Sequence, residues 1–281
     1  KTKSPLIISN GEVVLNSLII ILGKILNFKV IPISYAEEIT VPLKSKNFAS
    51  KVKLFLLKFS YPKAFKHISC CHFVRDLLVD KINVNVKNTK VIPIAFSKEK
   101  FMDGKLKKIS NSQNIISVGR MVKRKGFIEL INIVKKLKKE FPLIKLNIVG
   151  HGPLEGQIKK LINEQRLGDF IHFHGKISDK KLHQLYTDSN LFVLAHRMLE
   201  NGDTEGSPVT FAEAGLYKLP SIGGRDSGAS TIINDNETGL IIDMADNDAL
   251  EKSIRKILTN KDVMEKMGLA ARKKILSEHS P

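Results

Sequence analysis

The sequence predicts an α/β protein of two doubly wound domains, each a parallel sheet covered by helices, the first of them incomplete. Three observations carry this reading. Short apolar runs alternate with helix-period segments from end to end, which is the pattern of strand–helix–strand units. The alternation pauses once, between Pro93 and Gln113, in a stretch rich in Lys and Ser that reads as a linker. The length of 281 residues suits about two domains.

In residues 1–100, Leu6-Ile7-Ile8 is expected as a strand, Glu12 to Leu26 as a helix and Lys29 to Ser34 as a strand. His67 to Cys71 follows as a strand, Phe73 to Lys81 as a helix and Lys90 to Pro93 as a strand. The segment opens directly on a strand with no βα unit before it, so it reads as part of a domain. Residues 101–281 read as a complete one. Strand Ile115 to Val118 leads through Gly119 to a helix from Phe127 to Glu140, and strand Lys145 to Val149 precedes the turn Gly150-His-Gly-Pro153 and a helix. Then come strand Phe170 to His174, helix Asp179 to Thr187, strand Leu191 to Leu194 and a helix from Pro208. Strands near Pro220 and Gly239 and two closing helices complete it.

Composition narrows the class. Hydrophobic residues are 42% and charged residues 26%, so disordered and fibrous classes are excluded. The formal charge of +18 invites anionic partners, and it is uneven: residues 1–100 hold 17 basic and 6 acidic side chains, residues 101–281 hold 29 and 22. Cys70 and Cys71 are adjacent, close no loop and match no zinc spacing; they read as reduced thiols in a cytoplasmic protein. The most apolar stretch, Val13 to Leu22, is broken by Asn16 and Ser17 and is too short to span a bilayer. Lys1 is not an initiator methionine, which leaves a lost leader open.

The segment from Asn201 to Gly215 carries the most chemistry. Ser207 reads as an N-cap and Pro208 as the first helical residue, so the helix presents free N–H groups and its positive end to the loop before it. Glu205 in that loop and Glu213 in the helix would flank an anion resting there, as a sugar nucleotide requires. The plain alternative is one solvated loop glutamate and one exposed helix glutamate. Gly119, Arg120 and Lys125 follow the first strand of the second domain, where ligands bind in α/β sheets. Two cations there can hold a diphosphate and stabilise its departing charge; a solvated basic loop is the alternative. Gly152 sits in another small-residue turn at a strand end.

Taken together, "SVGRMVKRKG", "IVGHGPLEGQIKKL", "IHFHGKISDKKLHQLYTDSNLFVL", "EGSPVTFAEAG" and "GGRDSGASTIINDNETGLIID" resemble the donor-nucleotide half of glycosyltransferase family 4 over residues 113–276. The resemblance implies a retaining enzyme of GT-B fold, with two facing Rossmann-like domains, the N-terminal one (1–100) a partial acceptor side and 101–281 the donor side. Glu205 and Glu213 show the family's E-x7-E spacing. By resemblance, Arg120, Lys125 and Glu205 are the catalytic residues. Gly119, Gly152, Ile177, Gly206, Ser207, Pro208, Val209 and Glu213 would bind the donor. Tyr35 stands where relatives often have His, while Glu38 remains. The segment Gly223 to Ala229 is most like that of mannosyltransferase-like members.

The function implied is transfer of a hexosyl unit from a UDP- or GDP-linked sugar to a glycan or lipid-linked acceptor. A non-catalytic sugar-nucleotide-binding relative or fragment is the alternative, and a basic nucleic-acid-binding protein a more remote one. Residues 1–281 alone are expected to bind a donor but transfer it poorly. No metal or cofactor is expected; His172 and His174 share a strand face without a third ligand. Glu38 and His196 are candidate substrate contacts. The basic stretch Lys44 to Lys66 alternates cations with Phe, Leu and Tyr. It reads as an amphipathic helix on the anionic inner face of a membrane, as a nucleic-acid surface, or as a helix packed on the sheet.

Overall fold

The computed structural model describes residues 4–93 and 112–278. Most of the linker between Pro93 and Gln113 therefore lies outside the described residues. The chain packs as two units. The first takes the described residues up to 93 with Met198–Ser207 and Asp226–Thr231; the second takes 112–197, Pro208–Arg225 and 232–278.

In the first unit, β1 (Leu6–Ser9), β2 (Lys29–Ser34), β3 (His67–Ser69) and β4 (Thr89–Val91) form a parallel sheet in the order β1-β2-β3-β4. Four helices belong to it: α1 (Val13–Ile25), α2 (Glu37–Lys44), α3 (Phe48–Ser60) and α4 (His72–Asp80). Lys44 to Lys66 is thus not one helix. Its first residue ends α2, Ser45 is extended, and Asn47 restarts the chain as the N-cap of α3, accepting from the Ser50 N–H at 2.7 Å. Asn16 and Ser17, which interrupt the apolar stretch, are buried in α1. The Asn16 amide donates to the Gly11 carbonyl at 2.8 Å, and Ser60 Oγ of α3 donates to Ser17 Oγ at 2.9 Å. Both side chains are paired, and the Ser17–Ser60 contact ties α1 to α3.

The second unit holds six parallel strands: β5 (Gln113–Val118), β6 (Ile144–Val149), β7 (Ile171–Gly175), β8 (Leu191–Val193), β9 (Ser221–Gly224) and β10 (Gly239–Ile242). Their spatial order is β10-β9-β8-β5-β6-β7. Chain order therefore runs outward in one direction from β5 and then in the other from β8, as in doubly wound nucleotide-binding sheets. Helices α5 (Phe127–Leu137), α6 (Glu155–Glu164), α7 (Asp179–Asp188), α8 (Val209–Leu216), α10 (Asn247–Thr259) and α11 (Lys261–Glu278) cover it; all but the last residue of the short α9 (Ala229–Ile232) count with the first unit. α5 buries Phe127, Leu130, Ile131, Ile133, Val134 and Leu137, the i, i+3, i+4, i+7 face expected of a helix on a sheet.

Candidate functional site

The reversal of strand order lies between β5 and β8, and ligands of doubly wound sheets bind outside the carboxyl ends of the strands there. The loops that leave these ends are locked by their own backbones. The Gly119 N–H donates to the Val149 carbonyl at 3.0 Å, the Met121 N–H to His151 at 2.9 Å, and the Leu154 N–H to Met121 at 3.0 Å. On the β8 side the Arg197 N–H donates to the Arg124 carbonyl at 2.9 Å. Gly126, at φ +68°, is needed here: a Cβ would collide with the carbonyl oxygen of Ala195. Gly152 lies against the Met121 backbone in the same way.

On this frame Arg120 is exposed, and Lys125 is buried, 7% exposed, with its stem beside Gly119. Ile177 is half-buried between β7 and α7. His196, just past β8, is buried, and its Nδ1–H donates to the Leu194 carbonyl at 3.0 Å. Its neighbour Arg197 pairs with Glu129 at 2.6 Å.

Helix α8 starts one residue later than the sequence suggests. Pro208, not Ser207, is the cap residue, because its ψ of 87° lies outside the helical range; its carbonyl accepts from the Phe211 N–H at 3.1 Å. Val209 is the first helical residue. On the next turn Glu213 is half-buried, and its Oε2 accepts from the hydroxyl of the fully buried Tyr186 at 2.8 Å. Tyr217 stacks on Tyr186 at 5.2 Å. Burial raises both phenols, Tyr217 to about 12, and the nearby Glu213 charge adds to this. The carboxylate is therefore held by a donor that stays protonated. On the other side of α8, Gly215 admits Ile275 of α11.

Glu205, Gly206 and Ser207 pack with the first unit. The Glu205 carbonyl accepts from the Gly228 N–H at 2.9 Å, and the Thr204 hydroxyl donates to the Asp226 carbonyl at 2.7 Å. Gly202, at φ +88°, sits on the Thr40 carbonyl of α2, and Cys70 Sγ donates weakly to the Gly206 carbonyl at 3.7 Å. The structure thus divides the E-x7-E segment: Glu205 counts with one unit and Glu213 with the other.

Also in the first unit, a cavity of about 690 Å³ opens beyond the ends of β1 and β2, lined among others by Asn10, Glu12, Tyr35, Glu38, Asn47 and Lys53. Glu38 accepts from the Tyr35 N–H, and burial raises its pKa. Sequence reasoning missed Tyr186 and Gly126. Only Gly126, lying between a basic turn and a helix, left a readable signal; the tyrosine is one apolar-face residue of α7 among several.

Residues 98–274 match the family model for glycosyl transferases group 1. The GDP-mannose-dependent alpha-(1-6)-phosphatidylinositol monomannoside mannosyltransferase of Mycobacterium tuberculosis is 26% identical over 172 residues, 61% of this chain and 45% of that protein. The amylovoran biosynthesis glycosyltransferase AmsK of Erwinia amylovora is 28% identical over 58% of this chain and 40% of its own. The chain spans about half the length of the curated relatives it matches. Among solved structures, sucrose-phosphate synthase from Thermosynechococcus elongatus gives a TM-score of 0.75 at 20% identity, covering 98% of this chain and 70% of that one. Anabaena HepE in complex with UDP gives 0.78 at 16% identity, covering 98% and 75%. The fold is that of the GT-B glycosyltransferases.

Proposed function

This chain belongs to the group 1 glycosyl transferases, and we propose that it binds a nucleotide-diphosphate sugar for retaining transfer of a hexosyl unit to a glycan or lipid-linked acceptor. The observation that carries this reading is the reversal of strand order at β5 and β8, with Arg120 and the buried Lys125 on loops fixed at that end. Two fixed cations stabilise the diphosphate as it departs with its charge. Glu213, oriented by Tyr186, takes the ribose hydroxyls. Gly119, Gly152, Ile177, Pro208 and Val209 offer backbone or packing contacts to the donor; Glu205, Gly206 and Ser207 contact the sugar. Glu38 and His196 remain candidate substrate contacts. In sequence, residues 1–100 are assigned to the acceptor side and 101–281 to the donor side.

In the transfer step the acceptor oxygen bonds to the anomeric carbon on the face from which the diphosphate oxygen leaves, and the hydroxyl proton passes to the departing diphosphate. A relative named for GDP-mannose makes that donor the first to test, and UDP-sugars the second. Calorimetry of the chain with GDP, UDP and their sugars tests binding; labelled donors with lipid and oligosaccharide acceptors test transfer. Selective nucleotide binding weakened by Glu213→Ala supports the assignment, and equal affinity of the two proteins would overturn it. Binding without transfer would favour the non-catalytic reading, for which Tyr35 in place of the family's His is the motivating departure.

A further inference from the structure

Helix α3 turns its most apolar side chains to solvent. Phe48, Val52, Phe55 and Phe59 recur at i, i+4, i+7 and i+11, and all four are exposed, Phe48 at 82% and Phe55 at 66%. They form one stripe along about 16 Å of helix. Phe55 and Phe59 stack at 5.9 Å, so the rings present a continuous surface. A helix that merely packed on the sheet would hide this face; α3 hides Ser50, Leu57 and Ser60 instead. Its neighbour α1, tied to it through Ser17 and Ser60, likewise exposes Leu15, Leu18, Leu22 and Ile25.

Cations border the stripe. Residues 44–66 contain seven lysines and no carboxylate. Lys63 Nζ lies 3.0 Å from the centroid of the Phe59 ring, and Lys29 Nζ lies 4.5 Å from that of Phe65. An exposed aromatic stripe with lysines on its flank and one over its Phe59 ring matches the acyl boundary and phosphate layer of an anionic bilayer. A second copy of this chain would bring the same lysines against each other. A nucleic acid would use the lysines but gains nothing from four apolar side chains at helical spacing.

We propose that α3 docks this protein on an anionic lipid surface, the stripe at the acyl boundary and Lys51, Lys58 and Lys63 at the phosphates. No described helix is long and apolar enough to cross a membrane, so the contact is interfacial. Ala49, Ser50 and Lys53 line the cavity that holds Tyr35 and Glu38 from the opposite face of α3, so the stripe can dock without filling that cavity. The inference stands on α3 alone and does not need the transfer reading.

The test is cosedimentation of the full chain with phosphatidylcholine vesicles, with and without an anionic phospholipid. Binding to the anionic vesicles is expected to be stronger by about tenfold or more and to weaken with salt. Replacing Phe48, Phe55 and Phe59 together by Ser should lower that binding about tenfold. Replacing them by Leu should largely preserve it. Lys51→Glu with Lys58→Glu and Lys63→Glu should abolish the anionic preference. These side chains are exposed, and circular dichroism checks that each variant folds. Absence of vesicle binding by the folded chain overturns the proposal, as does binding that ignores both sets of changes. So does a stripe variant that instead dissolves a dimer or abolishes RNA binding while vesicle binding stays the same.

Discussion

The two units finish their burial differently. Of the large hydrophobic side chains exposed among the described residues, seventeen belong to the first unit, and only Leu143, Leu269 and Leu276 to the second. The second unit wraps six strands, and its strand order reverses at β5 and β8; the four described strands of the first run β1-β2-β3-β4 with no reversal. One unit has loops locked at its strand-order reversal, and the other has apolar faces exposed. Contiguous exposed apolar surface marks a place where something docks. Local rigidity of the loops therefore belongs to the second unit, and exposed apolar surface to the first.

The largest expected effect attacks the rigidity. Gly126→Ala puts a Cβ into the Ala195 backbone at a left-handed φ, where neither side can yield, and should cost about 3 kcal/mol or more. Gly23→Ala in α1 meets the Val30 side chain and Phe28 within a helix, where alanine is otherwise favoured, so its cost should be smaller. Chemical denaturation of both variants checks the contrast. Equal costs would show that the loops at the reversal are not locked as described.

Acid should destabilise the first unit through His67. His67 is buried with its Nε2–H donating to the Tyr61 carbonyl at 2.9 Å, and burial lowers its pKa from 6.5 to about 4. Between these values the unfolded chain takes up a proton that the native one refuses. The stability is full above pH 6.5 and is lost as pH falls toward 4, by about 3 kcal/mol at most. Glu38, raised by burial, works in the opposite direction. The readout is therefore the difference made by His67→Gln, followed by hydrogen exchange in each unit. An unchanged pH profile in that variant would remove His67 as the cause.

How far the sequence carried this far follows from what each feature depends on. Period and strand-end position are local, so β5, β6, the basic loop between them and Glu213 were legible. Helix α2 was not, because Pro42 inside it reads as a breaker, and its helical state depends on packing that buries Ile39, Thr40 and Pro42. The cap at Pro208 was misplaced by one residue because its ψ is set by tertiary context. Tyr186 and the division of the E-x7-E segment between units depend on long-range packing, which a single sequence does not display. Asn16 and Ser17 were read only as interruptions of an apolar run.

Tyr186→Phe sharpens the site on the second unit. The phenol donates to Glu213, and its removal takes away the hydrogen bond that orients the carboxylate. Nucleotide affinity should fall by about 1–2 kcal/mol, roughly tenfold. Calorimetry with the preferred nucleoside diphosphate measures it, and Tyr217→Phe is the control, since that hydroxyl has no bonded partner among the described residues. A loss as large in the control would mean that the hydrogen bond to Glu213 is not what sets the affinity.

The smallest effect is expected on the outer face of α1, and it is the most direct test of the contrast between units. This helix inverts the usual arrangement: Asn16 and Ser17 face inward and are bonded, while Leu18 and Leu22 face solvent. Leu18→Ser with Leu22→Ser should cost the first unit about 1 kcal/mol, because about half of each side chain is already exposed and serine is only a somewhat weaker helix former. The same change at Ile131 of α5, fully buried in the second unit, removes packing and strands a hydroxyl, and should cost about 3 kcal/mol or more. Asn16→Leu runs the comparison the other way, since it leaves Ser9 and the Gly11 carbonyl without their partner and should cost about 1–3 kcal/mol. Denaturation monitored by hydrogen exchange in each unit separates the three. If the two outer leucines proved as costly as Ile131, they would be buried in solution, and the face would already be covered by something bound to it.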